Sequence, residues 1–260
     1  MFSFLKSVVF SLSLGLLIFP SLEANAESPS MQIAKRIWQN ECAGSTQGLV
    51  SWNKGEEFPS LGIGHFIWYP KNVRGNFQES FPAFVQFAQS KGVQVPPYFR
   101  GAAPWPNRQQ FLSAETKGGL ADQMRRWLMD HINVQADFLI SRSFQALPRI
   151  KAASRQPELI SQRYQAVAYT KNGMYALIDY VNFKGEGVNP SERYKGQGWG
   201  LLQVLENMKG NPTGQGAVQE FSRSAKEVLT RRVANSPAER GERRWLQGWL
   251  NRCSTYSQPF

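Results

Sequence analysis

Residues 31–69 read MQIAKRIWQNECAGSTQGLVSWNKGEEFPSLGIGHFIWY, and the pattern changes within them. Up to Asn40, the apolar residues Ile33, Ile37 and Trp38 recur at helical spacing. That predicts a helix over Met31–Asn40, capped by Ser28 or Ser30. The face of Ile33 and Ile37 continues, four residues on, to Glu41. From Gly44 to Tyr69 the chain turns rich in Gly, Ser and aromatic residues. Leu49–Trp52 and Leu61–Trp68 read as strands joined across Asn53–Pro59. A helix ending in a carboxyl group, followed by a glycine-rich hairpin that forms the only sheet, predicts an α+β fold that is mainly helical.

The rest of the chain supports a helical body. Helical spacing or apolar runs mark Phe81–Ser90, Gly119–Phe138, Leu139–Ala152, Pro157–Ala168, Met174–Phe183, Gly200–Met208, Ala217–Arg232 and Pro237–Leu250. Met174–Phe183 is the most apolar and is expected at the centre. Val93–Asn107 holds four prolines and reads as a packed loop, since it carries Tyr98, Phe99 and Trp105. No repeat and no Gly/Ser-rich linker divides the chain, so residues 27–260 are expected to form one domain.

Residues 1–26 differ from the remainder. Lys6 makes the start positive, Val8–Phe19 is a short apolar run, and Ala24–Asn25–Ala26 supplies the small-x-small pattern cut by signal peptidase. A cleaved signal peptide, and a secreted or periplasmic protein, are expected. No second run is long enough to span a bilayer. Lys6 and Glu23 cancel, so the mature chain keeps the net charge of +11. That charge favours anionic envelope polymers as partners. Export and the scatter of the basic residues argue against nucleic acid. In an oxidising compartment Cys42 and Cys253 are expected to form a disulfide. With His65 and His131 they show no metal-ligand spacing, and no cofactor is implied.

Glu41 is the first candidate for chemistry. A carboxyl group held against apolar neighbours loses solvation when ionised, so its pKa should rise, as a general acid for glycoside cleavage requires. Such cleavage commonly uses a second carboxylate, and Glu56 and Glu57 lie in the turn between the proposed strands. The Ser60 hydroxyl could orient a water molecule. His65 could bond near the acid. Trp52, Phe66, Trp68 and Tyr69 are candidates for sugar stacking or for a small core beneath the hairpin. Asp179 and Asn182 interrupt an otherwise buried helix and must find partners there. Glu186 and Glu192 lie in the loop that follows, where they could border a groove.

These residues resemble the lysozyme-like superfamily, and phage-type lysozymes, or endolysins, most closely. The resemblance rests on Glu41 at the helix end, on Ser60–His65 as the Thr-Ile-Gly-Ile-Gly-His-like segment, on Tyr175–Gly187 as the central helix, and on Ala217–Leu250 as the closing helices. It implies a hairpin lobe at about 44–70 beside a larger helical lobe, with residues 78–171 as an elaboration of the latter. It also implies a glycoside hydrolase that cleaves β-1,4 bonds of an amino-sugar polymer, foremost peptidoglycan. Glu41 matches the catalytic glutamate and Ser60 the threonine. The position of the family's aspartate falls on Lys54, with Glu56 two residues on. The expected catalytic set is Glu41, Glu56 and Ser60, with Glu57, His65, Trp68, Asp179, Asn182 and Glu186 as substrate contacts. The alternatives are a lytic transglycosylase or a chitosanase of the same fold, or a noncatalytic wall-binding protein. Processing after Ala26 predicts a mature chain beginning at Glu27. N-terminal sequencing of the exported protein checks this, and finding residues 1–26 still attached contradicts it.

Overall fold

A computed structural model describes residues 28–75 and 77–259; the expected signal peptide lies outside them. The first helix, α1, runs Pro29–Cys42. It is longer than its apolar spacing indicated, because the Ser28 hydroxyl accepts from the Met31 amide and proline is tolerated in the first turn. Ala43, in the left-handed conformation, ends the helix and donates to the Trp38 carbonyl. The face of Ile33, Ala34 and Ile37 is buried.

The glycine-rich region that follows is a three-stranded antiparallel sheet. Its strands are β1 (Val50–Ser51), β2 (Ser60–Leu61) and β3 (Phe66–Ile67), in that spatial order. Ser60 pairs with Ser51 on one side and Ile67 on the other. The expected single strand Leu61–Trp68 is broken by a turn over Gly62–His65. Gly62 adopts φ 74° and His65 φ 47°, and the His65 amide donates to the Gly62 carbonyl at 3.2 Å. The turn lies against the fifth helix. A Cβ on Gly62 would stand 2.3 Å from Gln135 Oε1, and that oxygen accepts from the Ile63 amide at 2.8 Å.

The helical body comprises α2 (Phe81–Ser90), α3 (Arg108–Ser113), α4 (Leu120–Asp130), α5 (Ile132–Ala153), α6 (Pro157–Ala168), α7 (Lys171–Lys184), α8 (Leu201–Asn207), α9 (Gly214–Asn235) and α10 (Arg243–Thr255). The sequence reading missed α3, which Asn107 caps by accepting from the Gln110 amide. The α4–α5 break falls at His131 rather than after Phe138, and the His131 ring is bonded to the Trp127 carbonyl at 2.7 Å. A second sheet corrects the expectation of only one. Strands β4 (Arg193–Tyr194) and β5 (Gln197–Gly198) form a tight hairpin through Lys195 and Gly196, both at positive φ.

Helix α5 packs against α1, α2, α6 and α7, while α9 carries α8 and α10. Helix α7 is buried continuously from Tyr175 to Val181, in keeping with its central position. Beneath the first sheet, Phe66, Trp68, Phe81, Phe84, Phe99, Trp127 and Phe138 make stacked, edge-on and tilted ring contacts. Trp68 has no exposed surface, and its indole N–H donates to the Gly101 carbonyl. It is therefore core, not a sugar-stacking platform. Trp52, Phe66 and Tyr69 are buried likewise. No helix among the described residues is long and apolar enough to cross a membrane.

The expected disulfide is absent, since Cys42 and Cys253 are both free and buried. They serve different interfaces. Cys42 Sγ lies 3.4 Å from His65 Nε2 and 3.9 Å from the Gly62 carbonyl oxygen, under the turn. Cys253 faces the α9–α10 contact, where its carbonyl accepts from the Ser222 hydroxyl. Burial raises the pKa of each thiol to about 12, so the reactive thiolate is scarce. Both thiols are expected to resist a disulfide-exchange reagent such as DTNB until denaturant is added. A chain that migrates faster without reductant, as a crosslinked one does, would contradict the free pair.

Candidate functional site

Glu41 lies in the last turn of α1, at the negative end of the helix dipole, where an ionised carboxylate is disfavoured. Burial raises its pKa further. Opposing both, Arg252 of α10 places Nη2 2.7 Å from Glu41 Oε1. Asn182 Nδ2 donates to the same oxygen at 3.2 Å and to the Gly64 carbonyl at 3.1 Å. His65 Nδ1 stands 3.6 Å from Glu41 Oε2. Burial is the largest single influence, but Arg252 and His65 together outweigh it, and Glu41 ends below the usual carboxylate value of 4.5. The expected rise is therefore not found: Glu41 rests ionised. Burial, reinforced by the charge of Arg252, lowers the pKa of His65, against the pull of Glu41.

Arg252 also reaches Asp179 of α7, through Nε at 2.9 Å and Nη2 at 2.8 Å. Asp179 is fully buried and also accepts from Tyr256 at 2.8 Å and from Asn40 at 3.3 Å. Sealed below Arg252, Asp179 cannot touch a substrate, which corrects its expected role. Its work is to orient the guanidinium. Glu186 is likewise committed: Arg149 of α5 grips its carboxylate through both Nε and Nη2.

In the β1–β2 turn Glu56 is half-buried and Glu57 is exposed. The Glu56 carbonyl accepts from the Trp52 indole at 2.8 Å, which fixes the turn. Its carboxyl oxygen Oε2 is buried with no hydrogen-bond partner among the described residues. Burial raises its pKa above 4.5, bonds from Asn53 oppose this, and the charge of Glu41 adds to the rise. The charges of Glu57, Glu79 and Glu56 all bear on Tyr69. Ser60 is 4% exposed in the middle strand. Glu41, His65, Asn182 and Arg252 thus form one bonded group, to which Glu56 is linked through the charge of Glu41, while Trp68 is core, Asp179 lies beneath Arg252 and Glu186 is held by Arg149.

The Glu41 side chain remains 14% exposed, beside His65 at 21%. Two concavities, of about 500 and 370 Å3, lie on other faces, and neither is lined by Glu41 or Glu56. Arg252, Tyr256 and Asn40 escaped the sequence reading. The available signal was the helical spacing of Arg252 from Trp249, at i−3, and from Tyr256 just past the end of α10, at i+4. Comparison with protein-family models, with curated proteins and with solved structures returned no match.

Replacing Arg252 with Met leaves Asp179 buried without its cation and should cost about 3–5 kcal/mol in denaturant unfolding. Because Glu41 is depressed in the folded state, its contribution to stability is present above its unfolded pKa and lost as pH falls through its folded one. The loss of stability on acidification should therefore be shallower in Arg252→Met. An unchanged slope would mean that Arg252 does not hold Glu41 ionised.

Proposed function

We propose that the chain is a lysozyme-like glycosidase that cleaves β-1,4 bonds of an amino-sugar polymer, with peptidoglycan as the first substrate to test. The observation that supports this reading is the pair Glu41 and Glu56, whose surroundings drive their protonation in opposite directions. Separated pKa values are how one site supplies both an acid and a base. Glycoside cleavage needs both, because the leaving oxygen takes a proton while positive charge builds at the anomeric carbon.

In this reading Glu41 supplies the negative charge. Arg252 and Asn182 fix its carboxylate, which faces the developing oxocarbenium or activates a water molecule. Glu56 supplies the proton, since its unpartnered buried oxygen favours the neutral form. These roles reverse the assignment suggested by the helix-tip position of Glu41. Substrate recognition is asked of the surface between the Gly62–His65 turn and the end of α7. Lysozyme-like architecture is part of the proposal; the mainly helical body and small antiparallel sheet are consistent with it.

A second reading is favoured by Lys54, which stands where the resembled family carries an aspartate. There Glu41 works alone: its protonated minority gives a proton to the leaving oxygen, and the resulting carboxylate takes the proton of a sugar hydroxyl that attacks in place of water. The product is an anhydro sugar, lighter by one water.

Glu41→Gln should lower turnover of peptidoglycan by roughly 10²–10⁴-fold without loss of fold. Glu56→Gln should lower it comparably under the paired mechanism and little under the single-acid one; mass spectrometry of the products provides an independent answer. Activity requires pH above the lowered Glu41 value and below the raised Glu56 value. The profile of kcat/KM should therefore be bell-shaped, with its maximum spanning 4.5. Protein that leaves peptidoglycan, chitin and chitosan intact at every pH, or a Glu41→Gln variant as active as wild type, would end the proposal.

A further inference from the structure

The last turn of α7 carries Asn182, Phe183 and Lys184 before Gly185 ends the helix at φ 78°. Asn182 serves Glu41, and Arg252 lies over the Phe183 ring at 4.1 Å. Lys184 faces a different environment. Its ammonium stands 3.9 Å from the centroid of Phe183 and 3.5 Å from that of Trp249. Among the described residues it makes no hydrogen bond and no ion pair. Ring faces attract a cation, but they do not use the three N–H donors of an ammonium.

Of the carboxylates around it, Glu192 comes within reach of the neighbouring Gly185 but makes no ion pair with Lys184, and the others are already engaged. Glu41 and Asp179 share Arg252. Glu242 accepts from Arg232 at 2.8 Å and from the Tyr194 hydroxyl at 2.9 Å, with Arg240 3.4 Å away. Arg232 itself lies 5.0 Å from the Trp249 centroid, so the other cations around Lys184 repel it. Burial, together with the charges of Arg232 and Arg252, pushes its pKa well below the usual 10.5, and Glu242 and Cys253 only partly oppose them. A half-buried cation with open donors and cationic neighbours is costly to keep, and an arriving anion would relieve that cost. The position is next to the site: the charge of Lys184 is one of those that lower Glu41.

Resting on the glycosidase reading, we propose that Lys184 receives a carboxylate carried by the substrate glycan, on its lactyl or peptide substituents. The site then selects acidic amino-sugar polymers over neutral chitin and cationic chitosan. Phe183 and Trp249 hold the ammonium in place, and the carboxylate of the ligand takes the donors that the protein leaves open. One contact of this kind aligns the polymer so that the bond next to its acidic sugar meets Glu41.

The test measures binding in a Glu41→Gln background, where cleavage is too slow to disturb the titration. A carboxylate-bearing muramoyl glycan fragment is titrated beside its counterpart with the carboxyl reduced to an alcohol. The acidic fragment should bind at least ten times more tightly. Lys184→Gln should erase that preference without weakening the alcohol, and Lys184→Arg should restore most of it. As a measurement free of any Lys184 variant, the 13C-dimethylated Lys184 resonance should shift with the acid and not with the alcohol. Equal binding of the two fragments, an equal loss for both in Lys184→Gln, or an unmoved resonance would overturn the proposal. Inorganic phosphate matching the acid in affinity would overturn it too, since the site would then read charge alone. Cleavage of peptidoglycan without any Lys184 dependence sinks only this inference. Lys184-dependent binding by a wild type that cleaves nothing sinks the enzyme reading and leaves a wall-binding site.

Discussion

The guanidinium of Arg252 joins three parts of the chain at one point. It arrives on α10, lies along the fully buried Asp179 of α7, and reaches with the same Nη2 to Glu41 at the tip of α1. A buried ion pair alone is weak evidence of stability, because desolvation can cancel the Coulombic gain. Here the cost is spread over a network. Tyr256 and Asn40 supply further bonds to Asp179, and Asn40 in turn donates to the Tyr175 hydroxyl at 2.6 Å. Such a network is stiff because each member would be stranded without the others. It also sets the electrostatics of the site, since Glu41 would otherwise sit desolvated at the unfavourable end of a helix.

From this clamp follows the division between the two carboxyls. Arg252 reaches Glu41 but makes no bond to Glu56. Burial therefore prevails at Glu56 and is overcome at Glu41, although both residues lie in the same short segment of sequence. The turn between them is held from outside by the Trp52 indole, and Arg108 of α3 adds a bond to the Trp52 carbonyl at 2.8 Å. Residues between the sheet and α5 thus do more than lengthen the helical body. They brace the loop that presents Glu56.

Local signals in the sequence located most of the helices. Phe81–Ser90 and Pro157–Ala168 coincide with α2 and α6, because each begins at a marked first turn and carries a clear apolar face. The sequence also placed Glu41 at a helix end before a glycine-rich turn. What it missed depends on tertiary contacts. Leu61–Trp68 reads as one strand by residue type, but Gln135 of α5 draws the Ile63 amide out of line and the chain turns at Gly62. The hairpin at Lys195–Gly196 has strands too short to show alternation. Two cysteines behind a signal-like amino end suggest a bond, but only their placement on separate interfaces decides the matter. The pKa of Glu41 was misjudged for the same reason: its neighbours in sequence are apolar, while its deciding neighbour is 211 positions away.

That separation bears on how the site comes into being. Contacts so distant along the chain carry a larger loop-closure cost than those within local helices. Until α10 docks, Asp179 has no cation and nothing fixes the Glu41 carboxylate. A half-folded molecule therefore possesses every residue of the site and none of its organisation. Completion of folding and assembly of the site are the same event, so a chain stopped short of docking its last helix carries a buried acid without its counter-ion and a helix-tip carboxylate free to turn.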